Sequence, residues 1–174
     1  MTRSTSLILL VLLVCACGCS SRYKYMTTQE AKTKLIEGEG VFVSMPQNGF
    51  YGMTIYEKSG AMTARAVEAE LMNYTDTVKV STSCEGKECF DQIEKKTYRY
   101  YLEPKIIQWE DRATEWSGMP DRITIALTVY DTKSEKKIFS QQFSGASKWA
   151  TFGGDHPQDL LHVPIEKCLK SLYD

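Results

Sequence analysis

Arg122-Ile123-Thr124-Ile125-Ala126-Leu127-Thr128-Val129-Tyr130 is the stretch that decides the fold. Its apolar residues Ile123, Ile125, Leu127 and Val129 fall at every second position. A period of two is the signature of a strand with one face on a core and the other toward water. Upstream, Tyr98 to Trp109 reads as a long strand interrupted at Pro104, which has no N–H for a ladder and so implies a bulge or an edge. Downstream, polar Asp131 to Lys136 precedes a third strand, Lys137 to Ser144, with Ile138, Phe139 and Phe143. The three form an antiparallel meander. Its first connection is about a dozen residues long, enough to suspect function beyond linkage.

The flanking segments supply the other layer. Val41-Phe42-Val43 is a first strand, closed by the turn cluster Pro46-Gln47-Asn48-Gly49. Phe50 to Tyr56 continues it as a loop or a second short strand. Ser59 is placed as an N-cap for a helix from about Gly60 to Met72, with Ala61, Ala64, Val67 and Leu71 at helical spacing. Val78-Lys79-Val80 is a further short strand. A helical stretch near Phe90 to Lys95 turns Phe90 and Ile93 inward. Leu161, Ile165, Cys168 and Leu172 mark one face of a C-terminal helix, which Pro164 starts or kinks. Near the other end, Thr27 and Glu30 have capping-box spacing, predicting a short helix through Ala31 and Leu35 that Gly38 and Gly40 end. The fold class is α/β of the α+β type: a mixed sheet with the meander in its second half and helices packed on it.

The first residues have a different character. Arg3 is followed by an unbroken apolar run, Leu7 to Val14, and then by Cys15-Ala16-Cys17-Gly18-Cys19-Ser20-Ser21. The run is short of the roughly 20 residues that a membrane-spanning helix needs and fits the apolar region of a secretory signal. The segment resembles a bacterial lipoprotein signal, in which small residues precede a cysteine that is cleaved and lipidated. Cys17 is the preferred acylated residue, with Leu13-Val14-Cys15-Ala16 before it; Cys19 is the alternative register. No Asp follows either cysteine, which in the resembled system directs the protein to the outer membrane, facing the periplasm. The expected organisation is a signal peptide over 1–16 (to 18 in the alternative), a lipidated tether over 17–38, and one domain over 39–174. The acyl chains (palmitate among them) anchor the chain in the membrane, each buried CH₂ contributing about 0.8 kcal/mol.

Loss of the first sixteen residues removes only Arg3 from the charge count, leaving 20 basic and 22 acidic side chains and a formal charge of −2. Such a balance argues against nucleic acid as a partner and against a general grip on polyanions, while leaving room for a local patch. Cys84 and Cys89, close together in an exported chain, are expected to form a disulfide. Cys168 is expected to be a buried thiol. No cofactor or metal is expected: Asp155, His156, Asp159 and His162 lack the usual ligand spacing, and capping of the final helix explains them as well.

Two loops concentrate the chemistry. The first, Trp109-Glu110-Asp111-Arg112-Ala113-Thr114-Glu115-Trp116, runs through Ser117-Gly118-Met119-Pro120 to Asp121-Arg122; the second runs from Trp149 to His156 through Gly153, Gly154 and Asp155. Indoles are costly in water and charges are costly to bury, so such mixtures suggest a built surface. Trp109, Asp111, Arg112, Glu115, Trp116, Arg122, Trp149, Asp155 and His156 are the candidate binding residues. In an up-down-up meander both loops leave the same edge of the sheet. The expected function is an envelope binding or scaffolding module for a protein partner, and not an enzyme. The alternative is an enzyme or glycan-binding module using Asp111, Glu115 and His156, whose carboxylates and imidazole could do acid–base work in a dry cleft.

Trp109 to Gly118, Pro120-Asp121-Arg122 and Lys148 to Leu161 together resemble an uncharacterised family of bacterial lipoproteins, a domain of unknown function. That resemblance implies a periplasm-facing lipoprotein and supplies no activity. In element order alone the chain is also similar to the small α/β domains of outer-membrane accessory lipoproteins and of the periplasmic Tol-system propeller protein.

Overall fold

The computed structural model describes residues 21–112, 119–148 and 156–174. Six strands form one mixed sheet. In chain order they are β1 (Arg22–Gln29), β2 (Gly40–Ser44), β5 (Val78–Ser81), β6 (Tyr98–Glu110), β7 (Arg122–Asp131) and β8 (Lys136–Ala146), arranged β1-β8-β7-β6-β2-β5. Strands β6, β7 and β8 are the antiparallel meander, and β2 runs parallel to both β5 and β6. A two-stranded hairpin, β3 (Phe50–Tyr51) and β4 (Thr54–Ile55), stands apart from the sheet. Helices α1 (Ser59–Leu71) and α2 (His162–Tyr173) complete the fold.

Strand alternation fixes the two faces. Ile123, Ile125, Leu127 and Val129 are all at most 1% exposed and meet Val67 and Leu71 of α1 and Ile165, Leu169 and Leu172 of α2 in one core. Each such side chain withdrawn from water contributes about 1.5–3 kcal/mol. Pro164 sits in the first turn of α2, where its missing N–H has no intrahelical partner to lose. Cys168 lies inside this core as a free thiol, and burial pushes its pKa up to about 12.

The opposite face carries a second, smaller cluster. Phe42, Tyr101, Phe90, Ile93 and the joined Cys84 and Cys89 pack there, beside Tyr98 and Tyr130. A 3₁₀ turn, Gly86–Asp91, brings Phe90 edge-on to Tyr101 and Tyr130, at 5.4 and 5.5 Å between ring centroids.

Two expectations need correction. The segment 22–29 is not a tether, and no helix follows Thr27; β1 pairs antiparallel with β8 along the sheet edge. Tertiary pairing outweighs a local capping signal whose helix would be too short to be stable alone. The domain therefore begins near Arg22 and not at residue 39. The bulge lies between Ile106 and Gln108. Pro104 meets the second of its two expectations: it sits beyond the last β2–β6 pair, at Leu102, on an edge where a donor is dispensable. Ser59 does not cap α1; its Oγ accepts from Gly49 N (2.8 Å) and donates to Tyr56 O (2.6 Å), while Asn48 Oδ1 accepts from Gly60 N (3.1 Å).

Candidate functional site

The two candidate loops are rooted together. Ser147 N donates to Asp121 O (3.0 Å), and Asp121 N donates to Ser147 Oγ (2.9 Å). Across the sheet the same level reads Arg22, Ala146, Arg122 and Glu110 on neighbouring strands. Opposed residues on paired strands share a face, so this row and the next, Lys24, Ser144, Thr124 and Gln108, point away from the helices.

At the first loop's root a carboxylate is buried. Glu110 is 1% exposed and receives Arg112 Nε (2.9 Å) and Nη2 (2.7 Å) as a fork; Gln108 Nε2 donates to its other oxygen. The hydrogen bonds from Arg112 to Glu110 hold the guanidinium above its usual pKa. Arg112 also donates its backbone N–H to Asp121 Oδ1 (2.6 Å) and lies 5.9 Å from the centre of the Tyr51 ring. The polar line continues from Gln108 to Thr124 (3.3 Å) and Ser144 (3.1 Å). Beside it opens a cleft of about 610 Å³, lined by the four cations Arg22, Lys24, Arg122 and Lys148 and by hydroxyls that include Ser144 and Ser147.

The hairpin stands at the same root. Gly49, which leads into it, approaches Trp109 so closely that a Cβ would lie 2.6 Å from Trp109 Cβ, so only glycine fits. Phe50 (58%), Tyr51 (48%), Met53 (101%) and Ile55 (62%) are all exposed. Tyr56 Oη reaches Asp111 O at 3.4 Å, fastening the end of the hairpin to the loop.

The expected residues fare unequally. Trp109 is a correction: it is 3% exposed, opposite Ile123 in the core. The bulge after Ile106 explains this, because it shifts the alternation and turns the indole inward. Arg112 and half-buried Asp111 stand at the root, and Arg122 is exposed in the cleft. His156 is exposed; its N–H donates to Asp159 Oδ2 (2.9 Å), opening a 3₁₀ turn at Pro157–Leu160. His162 Nδ1 pairs with the Glu70 carboxylate, joining α2 to α1. Glu115, Trp116, Trp149 and Asp155 lie outside the described residues. Among the described residues no three His, Cys, Asp or Glu side chains are grouped to hold a metal ion, and no helix is long and apolar enough to cross a membrane.

The sequence reading missed Arg22, Lys24 and Lys148, and the exposed hairpin. A signal for the first two was present: Arg22-Tyr23-Lys24-Tyr25-Met26 alternates as a strand does, with the charged residues on one side.

A family model described as a domain of unknown function, DUF4823, matches residues 33–172. No curated protein matches the chain. Among solved structures, PelC from Paraburkholderia phytofirmans, a dodecamer, is similar in fold with a TM-score of 0.67 at 13% identity, over 88% of this chain and 97% of that one. A Xanthomonas campestris protein of the DUF330 family aligns with a TM-score of 0.51 at 11% identity, over 84% of this chain and 92% of that one. At these identities the likeness concerns the fold alone.

Proposed function

The chain belongs to the DUF4823 family, and from that premise we propose that it is a lipid-anchored binding module of the bacterial envelope, with a protein as its partner. In this reading residues 1–16 are a signal peptide and Cys17, or Cys19 in the other register, carries the acyl chains. The anchor then stands only a few residues before β1, on the outer membrane and facing the periplasm.

The observation that carries the reading is the hairpin. Four large apolar side chains, Phe50, Tyr51, Met53 and Ile55, are presented to solvent on a two-stranded unit beside Arg112. Contiguous exposed apolar groups flanked by polar ones are characteristic of protein interfaces, and Tyr and Arg are among the residues that dominate their energetics. Trp116 and Trp149, in the sequences of the two loops, are proposed as further contact residues. At the root of the first loop Glu110 is held by Arg112, a structural role. The exposed apolar hairpin favours recognition over acid–base catalysis by Asp111, Glu115 and His156.

A photoreactive side chain placed at Met53, which is fully exposed, tests the proposal in the native envelope. The expected result is a discrete crosslink to one protein, weakened in a Tyr51→Ala or Trp116→Ala background by about 2 kcal/mol of affinity or more. A crosslink pattern indifferent to both substitutions would sink the reading. Intact mass of the membrane-extracted protein should show the acyl increment on Cys17 or Cys19, and a mature chain beginning elsewhere would remove the anchor.

A further inference from the structure

The near-neutral chain hides a local concentration of positive charge. Arg22 and Arg122 share one cross-strand row, Lys24 stands in the next, and Lys148 follows β8, so that all four line one cleft on the helix-free face. None of the four takes part in an ion pair among the described residues. The acids closest in the fold are already engaged: Glu110 is buried against Arg112, and Asp121 accepts the Arg112 N–H. The cleft's hydroxyls, Ser144 and Ser147, add neutral donors suited to oxyanions.

Where this cleft lies matters as much as its charge. Arg22 and Lys24 open the first strand, three and five residues after Cys19. An extended chain covers about 3.3–3.6 Å per residue, so an acyl group on Cys19 holds Arg22 within about 10 Å of the interface, and one on Cys17 within about 18 Å. The first distance is comparable to the screening length of about 8 Å at physiological salt. We propose that the Arg22–Lys24–Arg122–Lys148 cleft docks on anionic phospholipid headgroups, fixing the domain's orientation on the membrane that anchors it. The inference rests on the acylation reading for its reach, though not for its charge.

The test uses the full, acylated protein reconstituted in vesicles of phosphatidylcholine alone or mixed with phosphatidylglycerol. Amine-labelling rates are read for Lys24 and Lys148, with Lys170 as an internal control. A cation near an anionic surface contributes about 1 kcal/mol, a factor of about five. Labelling of Lys24 and Lys148 should therefore slow about fivefold on the mixed vesicles only, recover in high salt, and recover in the Arg22→Gln/Arg122→Gln variant, whose circular dichroism should match the parent's. Equal rates on both vesicles would overturn the proposal. So would protection that appears only when envelope proteins are added, because the cleft would then serve an acidic protein segment. Intact mass of the same sample separates the two failures. If no acyl increment is found, the anchor reading fails, and co-sedimentation with mixed against neutral vesicles decides the cleft: a salt-sensitive preference for the mixed vesicles sustains it, and no preference overturns it.

Discussion

The helix-free face of the sheet is finished in two different ways along the same strands. At one end Tyr101 and Tyr130 stack across β6 and β7 (5.5 Å), and Phe42 on β2 meets Tyr101. The disulfide-closed segment folds over these rings with Phe90 and Ile93. At the other end the same strands offer Gln108, Glu110, Arg122 and Thr124, and among the described residues no helix covers them. Aromatic rows demand a lid, because their area must leave water; hydroxyl and cationic rows do not, because water or a ligand satisfies them. A single sheet face thus holds an aromatic, covered half and a polar, cationic half.

The largest effect that would break this division is expected in the covered half. Phe90→Ala removes the ring that touches both Tyr101 and Tyr130 and should cost about 3–5 kcal/mol, read by denaturant unfolding. A loss under about 1 kcal/mol would mean that the lid is not part of the folded core. Burial has pushed the Tyr130 pKa up to about 12, so in the parent its phenol should titrate well above an exposed tyrosine. The Phe90→Ala variant should bring that titration back down as the ring is uncovered. The sign follows from desolvation, which disfavours the phenolate.

Next in size is the one place where the open half behaves like the closed one. Arg112→Met leaves Glu110 buried without its cation and should destabilise by about 2–3 kcal/mol, somewhat below a fully buried pair because Arg112 keeps a fifth of its surface in water. Glu110→Gln placed in the same chain should recover much of that loss. If the double variant is no better than the single, the cost comes from the guanidinium's contact with the Tyr51 ring and not from the stranded charge.

Removal of the staple is smaller. Cys84 and Cys89 close a loop with a separation of five, for which the chain-entropy relation gives about 2 kcal/mol. Cys84→Ser/Cys89→Ser should lower the unfolding free energy by that amount while Cys168 stays unreactive until unfolding, since its thiol is buried and its pKa raised. Rapid native labelling of Cys168 in that variant would show that the lid's loss loosens the main core as well.

How far the sequence displayed this plan depends on which signals were local. The meander was legible because Ile123 to Val129 alternate without interruption, and α2 because Leu161, Ile165, Cys168 and Leu172 keep one helical face. The disulfide followed from spacing and the expected export alone. Strand β1 was obscured because its five alternating residues follow the signal-like segment directly, and because the Thr27–Glu30 capping pattern competes with them locally. Its partner is β8, more than a hundred residues away, which no local pattern encodes. The missed strand cost half the cleft, since Arg22 and Lys24 entered the site only through that pairing. Trp109 failed for a related reason: one bulge residue reverses every inward and outward assignment beyond it. The hairpin's exposure is likewise a tertiary fact, because Phe50, Tyr51 and Ile55 are residues that composition alone would send inside.

The smallest expected effect sharpens the comparison most, because it uses one strand. Arg122 and Tyr130 both lie on β7 and both point away from the helices, eight residues apart. Tyr130 is held between Tyr101 and Phe90 and donates its hydroxyl to Glu103 (3.0 Å), so Tyr130→Ala should lose about 3 kcal/mol or more. Arg122 is exposed and has no ion-pair partner among the described residues, so Arg122→Gln should change stability by less than about 0.5 kcal/mol. Its carbon stem covers little that is apolar, because its row neighbours are Ala146 and Glu110. If Arg122→Gln costs as much as a core substitution, the open half is a structural face whose partner lies in the residues beyond those described, and the division into two halves fails. If stability is unchanged while protection of Lys24 and Lys148 on anionic vesicles is lost, the arginine is there for what it binds.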